Sequence, residues 1–325
     1  MKRAFLAAAF AVATLIGAAF AQQRVAPGDG TGVTATTQPV KSSTSKPAKA
    51  SNYAVPSEPQ VAIASQTIKN LAAKSQTVSS LSTGMHMVES PHFTIYSWFP
   101  PAQDNSIRQS MEQLYSMLSR AFDVGKDETV WVGKCGVFML TSQEQFTDFV
   151  TKVDHIDPHM AAAAGYCHYC SNWAYLVMNM PTSKGDIEAY RLTLTHEGTH
   201  GFLSRYVSDR QIPTWVNEGI ADAMADSLVA SSRLKTRLKD ATRVALKGQM
   251  DAKKVFDGVR LGQFDYGIAQ SWVQFLLAKN RKGFLKFLTL IKQGKSEADA
   301  LQECYKWDRD QMYQAWQAAA ARSIR

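Results

Sequence analysis

Beyond its first 21 residues the chain has no uninterrupted apolar run of the roughly 18 residues that a membrane-spanning helix needs. The mature protein is therefore expected to be soluble, with no stable membrane span. Cysteine is scarce as well, with four in 325 residues: Cys135, Cys167, Cys170 and Cys304. No second Cys pair accompanies Cys167-His168-Tyr169-Cys170, so the chain lacks the ligands of a structural zinc site built on paired cysteines. No thioredoxin-like pattern surrounds that C-x-x-C either, which ranks a thiol oxidoreductase working through Cys167 and Cys170 behind a structural use of the thiols. An even count in an exported chain predicts up to two disulfides, with the pairing left open by the spacing. Acidic residues are outnumbered by basic ones, 28 to 36, for a formal net charge of +8. The excess is spread out. Its densest group is Arg233, Lys235, Arg237, Lys239, Arg243 and Lys247, on an expected amphipathic helix that reads as a solvated face. No specific nucleic-acid partner is expected, and weak contact with anionic surface polymers is the most this charge offers.

What is present begins with a targeting signal. Lys2 and Arg3 precede an uncharged apolar run, Ala4 to Phe20, and Ala19-Phe20-Ala21 forms a small-x-small cleavage site. Residues 1–21 thus read as a signal peptide, which places the mature protein outside the cytoplasm, periplasmic or secreted. The absence of cysteine at the cleavage point argues against a lipoprotein anchor. Residues 22–83 are rich in Ser, Thr, Ala, Pro, Gln and Lys and hold one aromatic, Tyr53. Such a segment buries too little apolar surface to offset the entropy of ordering, so it is expected to be a disordered tether, with at most a weak helix near 61–74. The tether could also fold back over a cleft. Residues 84–325 carry nearly all the large apolar side chains, enough for one sizeable core or one domain with two lobes.

Within that domain the periodicity changes partway along. His92 to Trp98 alternates and is aromatic, as a strand requires, and Val130–Leu140 and Trp173–Met180 read as further strands. Between them, Ile107, Met111, Leu114, Leu118 and Phe122 recur at helical spacing, and Thr141-Ser-Gln-Glu144 resembles a capping box opening a helix to about Val153. From Asp186, a candidate N-cap, the pattern is helical almost to the end. The expected fold class is α+β: a small mixed α/β lobe, then a helical lobe, with the active site between them.

That junction carries His196-Glu197-Gly198-Thr199-His200. Histidines four apart project from one face of a helix and can share a metal, usually zinc, while the intervening glutamate can take a proton from an activated water. Pro213-Thr214-Trp215 opens another helix, with Glu218 in its second turn. Glu218 can complete a His, His, Glu ligand set, leaving a fourth position for water. Asp222 lies one turn further on the same face and can orient a ligand histidine. Asn217 either supports the site or faces solvent, with solvent the favoured reading, and His155, His159 and His168 are given no catalytic role.

The segments H-E-G-T-H and I-P-T-W-V-N-E-G-I-A-D together resemble the gluzincin metallopeptidases, specifically the peptidase-MA-like domains of exported bacterial proteins, over about residues 90–300. The resemblance implies a zincin-like fold, one zinc per chain held by His196, His200 and Glu218, Glu197 as general base, and peptides or proteins as substrates. The gap of 17 residues between His200 and Glu218 fits that group. Leu203 and Tyr206 stand where a metzincin needs Gly and His, and no G-x-M-E-N precedes the site. Phe264 to Trp272 resembles the segment that opens the family's next core helix, which makes Tyr266 the candidate for stabilising an oxyanion. The competing expectation is a zinc-containing module that binds peptides or cell-wall material without cutting them.

Overall fold

The computed structural model describes residues 56–125, 128–180, 187–229 and 232–323. The expected signal peptide, the tether up to residue 55, Pro181 as a strand stop and Asp186 as a helix cap lie outside the described residues. Every described strand falls between residues 86 and 179, and all the regular structure after that is helical, so the α+β class holds.

Five strands form one mixed sheet: β1 (His86–Glu89), β2 (Phe93–Ser97), β3 (Cys135–Leu140), β4 (Gly165–Tyr169) and β5 (Ala174–Asn179). Their spatial order is β1-β2-β3-β5-β4. The three central strands are parallel, and the two edge strands, β1 and β4, run antiparallel to their neighbours. Because side chains alternate along a strand, each strand feeds two cores. On one face Phe93, Ile95, Val137, Met139, Leu176 and Met178 pack beneath helices α2 (Asp104–Ala121) and α4 (Ile187–Arg205). On the other, Tyr96, Phe138, Leu140, Tyr175 and Val177 pack against α1 (Glu58–Ser75) and α3 (Gln143–Asp148).

Helix α1 corrects the expected tether, which would have run through residue 83. Gln60 Oε1 accepts from the backbone N–H of Ser57 at the start of α1, and Ile68 and Ala72 are buried against the sheet. Ala64, Ile68 and Ala72 fall on one helical stripe of small and branched side chains. The stripe is too sparse to read as a core face in a Ser- and Lys-rich context, but it suffices for one helix to lie flat on a sheet. It lies on the face opposite α4, so residues 58–75 do not cover the site. Two boundaries also move. The strand expected from Val130 starts only at Cys135, after Gly133 takes a left-handed φ of 76°. The helix cap is Ser142, which accepts from the Gln145 N–H at 3.1 Å, one residue later than the expected box.

The four cysteines are free thiols, so the expected disulfides are not formed. Cys135 and Cys167 face the same core, but β5 lies between their strands. Two strand spacings put their backbones at least about 9 Å apart, beyond the ~7 Å that a disulfide bridges. Cys170 is exposed past the end of β4, and Cys304 sits on α9 (Glu297–Tyr305), in the helical lobe. Burial pushes the Cys167 thiol well above the ordinary range, so Cys167 itself is no ready thiolate.

Beyond α4 the helical lobe consists of α5 (Thr214–Val229), α6 (Ser232–Leu246), α7 (Gln263–Lys279), α8 (Arg281–Lys292), α9 and α10 (Arg309–Ser323). Helix α4 is the seam between the lobes: residues 193–203 are all buried, against the sheet on one side and α5 on the other. Among the described residues, no helix is long and apolar enough to cross a membrane.

Candidate metal centre

The buried seam helix contains the H-E-x-x-H segment. One turn of helix brings the Nε2 atoms of His196 and His200 to 3.0 Å of each other. Glu218, from α5, places its Oε2 3.3 Å from the first and 3.4 Å from the second. The three side chains are buried, and their ligand atoms all lie within 4.8 Å of one another.

What surrounds these atoms fixes what they can be. His196 Nδ1 lies 3.0 Å from Asp222 Oδ1, and His200 Nδ1 lies 3.1 Å from Asn217 Oδ1. Both partners are acceptors, so each Nδ1 carries a proton and each Nε2 faces inward, where the neutral ring offers a lone pair. Two lone pairs and a carboxylate oxygen then converge, and Glu218 Oε2 is buried without a hydrogen-bond donor. Leaving such acceptors unmatched in a dry interior is costly. A cation at their centre removes that cost. Tetrahedral bonds of about 2.0–2.1 Å give ligand–ligand edges of about 3.3–3.4 Å, close to the distances found here. The group could therefore hold a metal ion.

The electrostatics say the same. Burial works against a charged His196, but the Asp222 and Glu218 carboxylates outweigh it and raise its proton affinity well above the ordinary imidazole value. Burial would raise Glu218 too, yet His200 and His196 hold its carboxyl down to about 2. The cluster thus attracts positive charge, proton or metal.

Glu197 is 3% exposed, and its carboxyl accepts from the backbone N–H of Cys167 on edge strand β4. Burial raises its pKa, with the His196 and His200 charges pulling the other way. Tyr266, in the first turn of α7, is buried. Its phenol is kept protonated by that burial and by the nearby Glu218, Asp222 and Glu197 charges. All six expected site residues (His196, Glu197, His200, Glu218, Asp222 and Tyr266) thus fall in one buried region.

Two residues take roles that the sequence did not assign to them. Asn217 is buried, not solvent-facing, because α5 turns this side toward α4. Arg237 belongs to the helix read as a solvated cationic face, yet its guanidinium bonds to Asp222 Oδ2 and lies over the Tyr266 ring, 5.6 Å from Cζ to centroid. The signal for Asn217 was its place next to Glu218 on a helix that Pro213 opens; for Arg237 only the fold reveals it. The chain matches no protein-family model, and no curated protein matches it.

Proposed function

We propose that this chain is an exported zinc peptidase of zincin-like, gluzincin-type architecture, cutting within peptide chains, with one zinc held by His196, His200 and Glu218. The observation that carries the reading is Glu197: a buried carboxyl with raised proton affinity, on the same helical turn as two converging imidazoles. Bound zinc would act as a Lewis acid and bring the pKa of a water to about 7. Glu197 takes the proton from the attacking water and passes it to the leaving amine, a transfer its raised pKa favours. Tyr266 donates its hydrogen bond to the oxyanion that forms on the former carbonyl. Asp222 and Asn217 keep both imidazoles oriented. Among the described residues edge strand β4 has no strand neighbour on its outer side, and it meets Glu197 through Cys167, so an extended substrate has a strand edge to lie along. Export rests on the signal-like residues 1–21.

The reading is tested with mature protein and its Glu197→Gln variant. Both should contain about one zinc per chain after loading. The variant should cleave a broad peptide library about 10²–10⁴-fold more slowly, the usual worth of a general base. Equal cleavage by the two proteins removes Glu197 from the mechanism, and a loaded wild type without metal removes the whole reading.

A further inference from the structure

A second concavity shares a wall with the metal centre. It lies between α6 and the first turn of α7, measures about 350 Å³, and is lined by Arg237, Asp240, Arg243, Val244, Gln263 and Phe264. That volume is in the range of small-ligand sites, about 300–1,000 Å³. Arg237 is the shared wall, since it bonds to the same Asp222 that orients His196. Phe264, two residues before Tyr266, is 45% exposed, one of four large apolar side chains left open to solvent among the described residues.

The chemistry of the lining is cationic. Two guanidinium groups face one carboxylate. Asp240 does pair with Arg243 at 2.8 Å, but the two side chains are 48% and 41% exposed, which makes the pair weak and exchangeable. The Arg237 Nε–H has no acceptor. Beyond the cleft, Lys235, Lys239 and Arg243 on α6 and Lys247 just past its end recur every fourth residue and so form one ridge. Like charges at this spacing repel one another, and an anionic partner relieves that repulsion. Arg243 belongs to both the ridge and the cleft.

We propose that this cleft is the substrate-selecting pocket for a carboxylate, which enters between Arg243 and Arg237 while a neighbouring peptide bond lies at the metal centre. The ridge extends the attraction to further acidic residues, so the favoured substrates are acidic peptides. The proposal takes its location of the scissile bond from the peptidase reading, but the pocket's preference for a carboxylate does not depend on turnover. The carboxylate has two sources, an acidic side chain or the peptide's C-terminus.

Binding by the zinc-loaded Glu197→Gln protein, measured by fluorescence anisotropy, separates these cases. The probes are a labelled peptide with a central Glu and an amidated C-terminus, its Gln counterpart, and the Gln peptide with a free C-terminus. At least one carboxylate-bearing peptide should bind about tenfold tighter than the amidated Gln peptide, as a charge-assisted pair allows. A gain confined to the Glu peptide assigns the pocket to side chains, and one confined to the free C-terminus assigns it to chain ends. The gain should shrink to under about threefold in Glu197→Gln/Arg243→Gln and fall with added salt. Circular dichroism and zinc content check that the double variant is folded. Equal binding of all three peptides, or a gain that Arg243→Gln leaves intact, overturns the proposal. If the carboxylate preference stands while wild-type protein cuts nothing, the peptidase reading fails and the pocket survives. Cleavage without the preference gives the reverse result.

Discussion

At the scale of single residues, the site is organised by which nitrogen of each histidine holds its proton. Asp222 and Asn217 each accept from an Nδ1, and that leaves the Nε2 lone pairs to the centre. The two supports differ in charge. Asp222 is a carboxylate that Arg237 also binds, whereas Asn217 offers a neutral carboxamide oxygen. Removing such a support typically costs 10–100-fold in metal affinity. Asp222→Ala should sit at the upper end of that range, because it frees His196 to rotate and also leaves the partly buried Arg237 without its counter-charge. Asn217→Ala should sit at the lower end. Competition with a metal-binding dye measures both, and unchanged affinity in Asp222→Ala would show that His196 is held by packing alone.

At the scale of elements, the placement of Glu218 depends on how closely α5 packs on α7. A Cβ on Gly219 would sit 2.4 Å from the carbonyl oxygen of Ala269, so α5 and α7 touch backbone to backbone at the residue next to Glu218. Main-chain atoms cannot step aside as a side-chain tip can. Gly219→Ala should therefore push α5 off α7, cost about 1–3 kcal/mol as overpacking does, and weaken metal binding by displacing Glu218. Denaturant melts with a parallel metal titration check it; a variant as stable as wild type and with full affinity would show that the helices are free to slide. This close approach also marks how far the sequence could be read. The H-E-x-x-H helix, the Glu218 helix and the aromatic strands were legible because each advertises itself within a few residues. Strand β4 was not, since Gly165-Tyr-Cys-His-Tyr169 lacks a clear alternation and owes its pairing to β5. The contact between Arg237 and Asp222 crosses two helices, and no local pattern separates it from its solvated neighbours on α6.

At the scale of the whole molecule, the two lobes meet on α4, and the ligand set crosses the seam: His196 and His200 belong to α4, and Glu218 to the helix that leads into the all-α lobe. A metal there would tie the sheet lobe's main covering helix to the α5–α7 pair, which would couple metal binding to lobe docking. A ligand bound only by the folded state stabilises it by about 2.7 kcal/mol at a hundredfold excess over its dissociation constant and about 4.1 kcal/mol at a thousandfold. Chelation should accordingly lower the thermal midpoint of unfolding and restoration of zinc should recover it. The size of the shift should depend on pH, with a definite sign. In the metal-free fold the carboxylates of Asp222 and Glu218 raise the proton affinity of His196 against the opposing effect of burial. The stability that this proton gives the metal-free fold is fully present below the imidazole's ordinary value of about 6.5 and is lost as pH rises through the raised one. The metal must displace the same proton. The gap in midpoint between loaded and chelated protein should therefore widen as pH rises from about 6 to 8, which paired calorimetric scans at each pH measure. A gap that stays constant across that range would mean that no proton leaves His196 when the metal arrives.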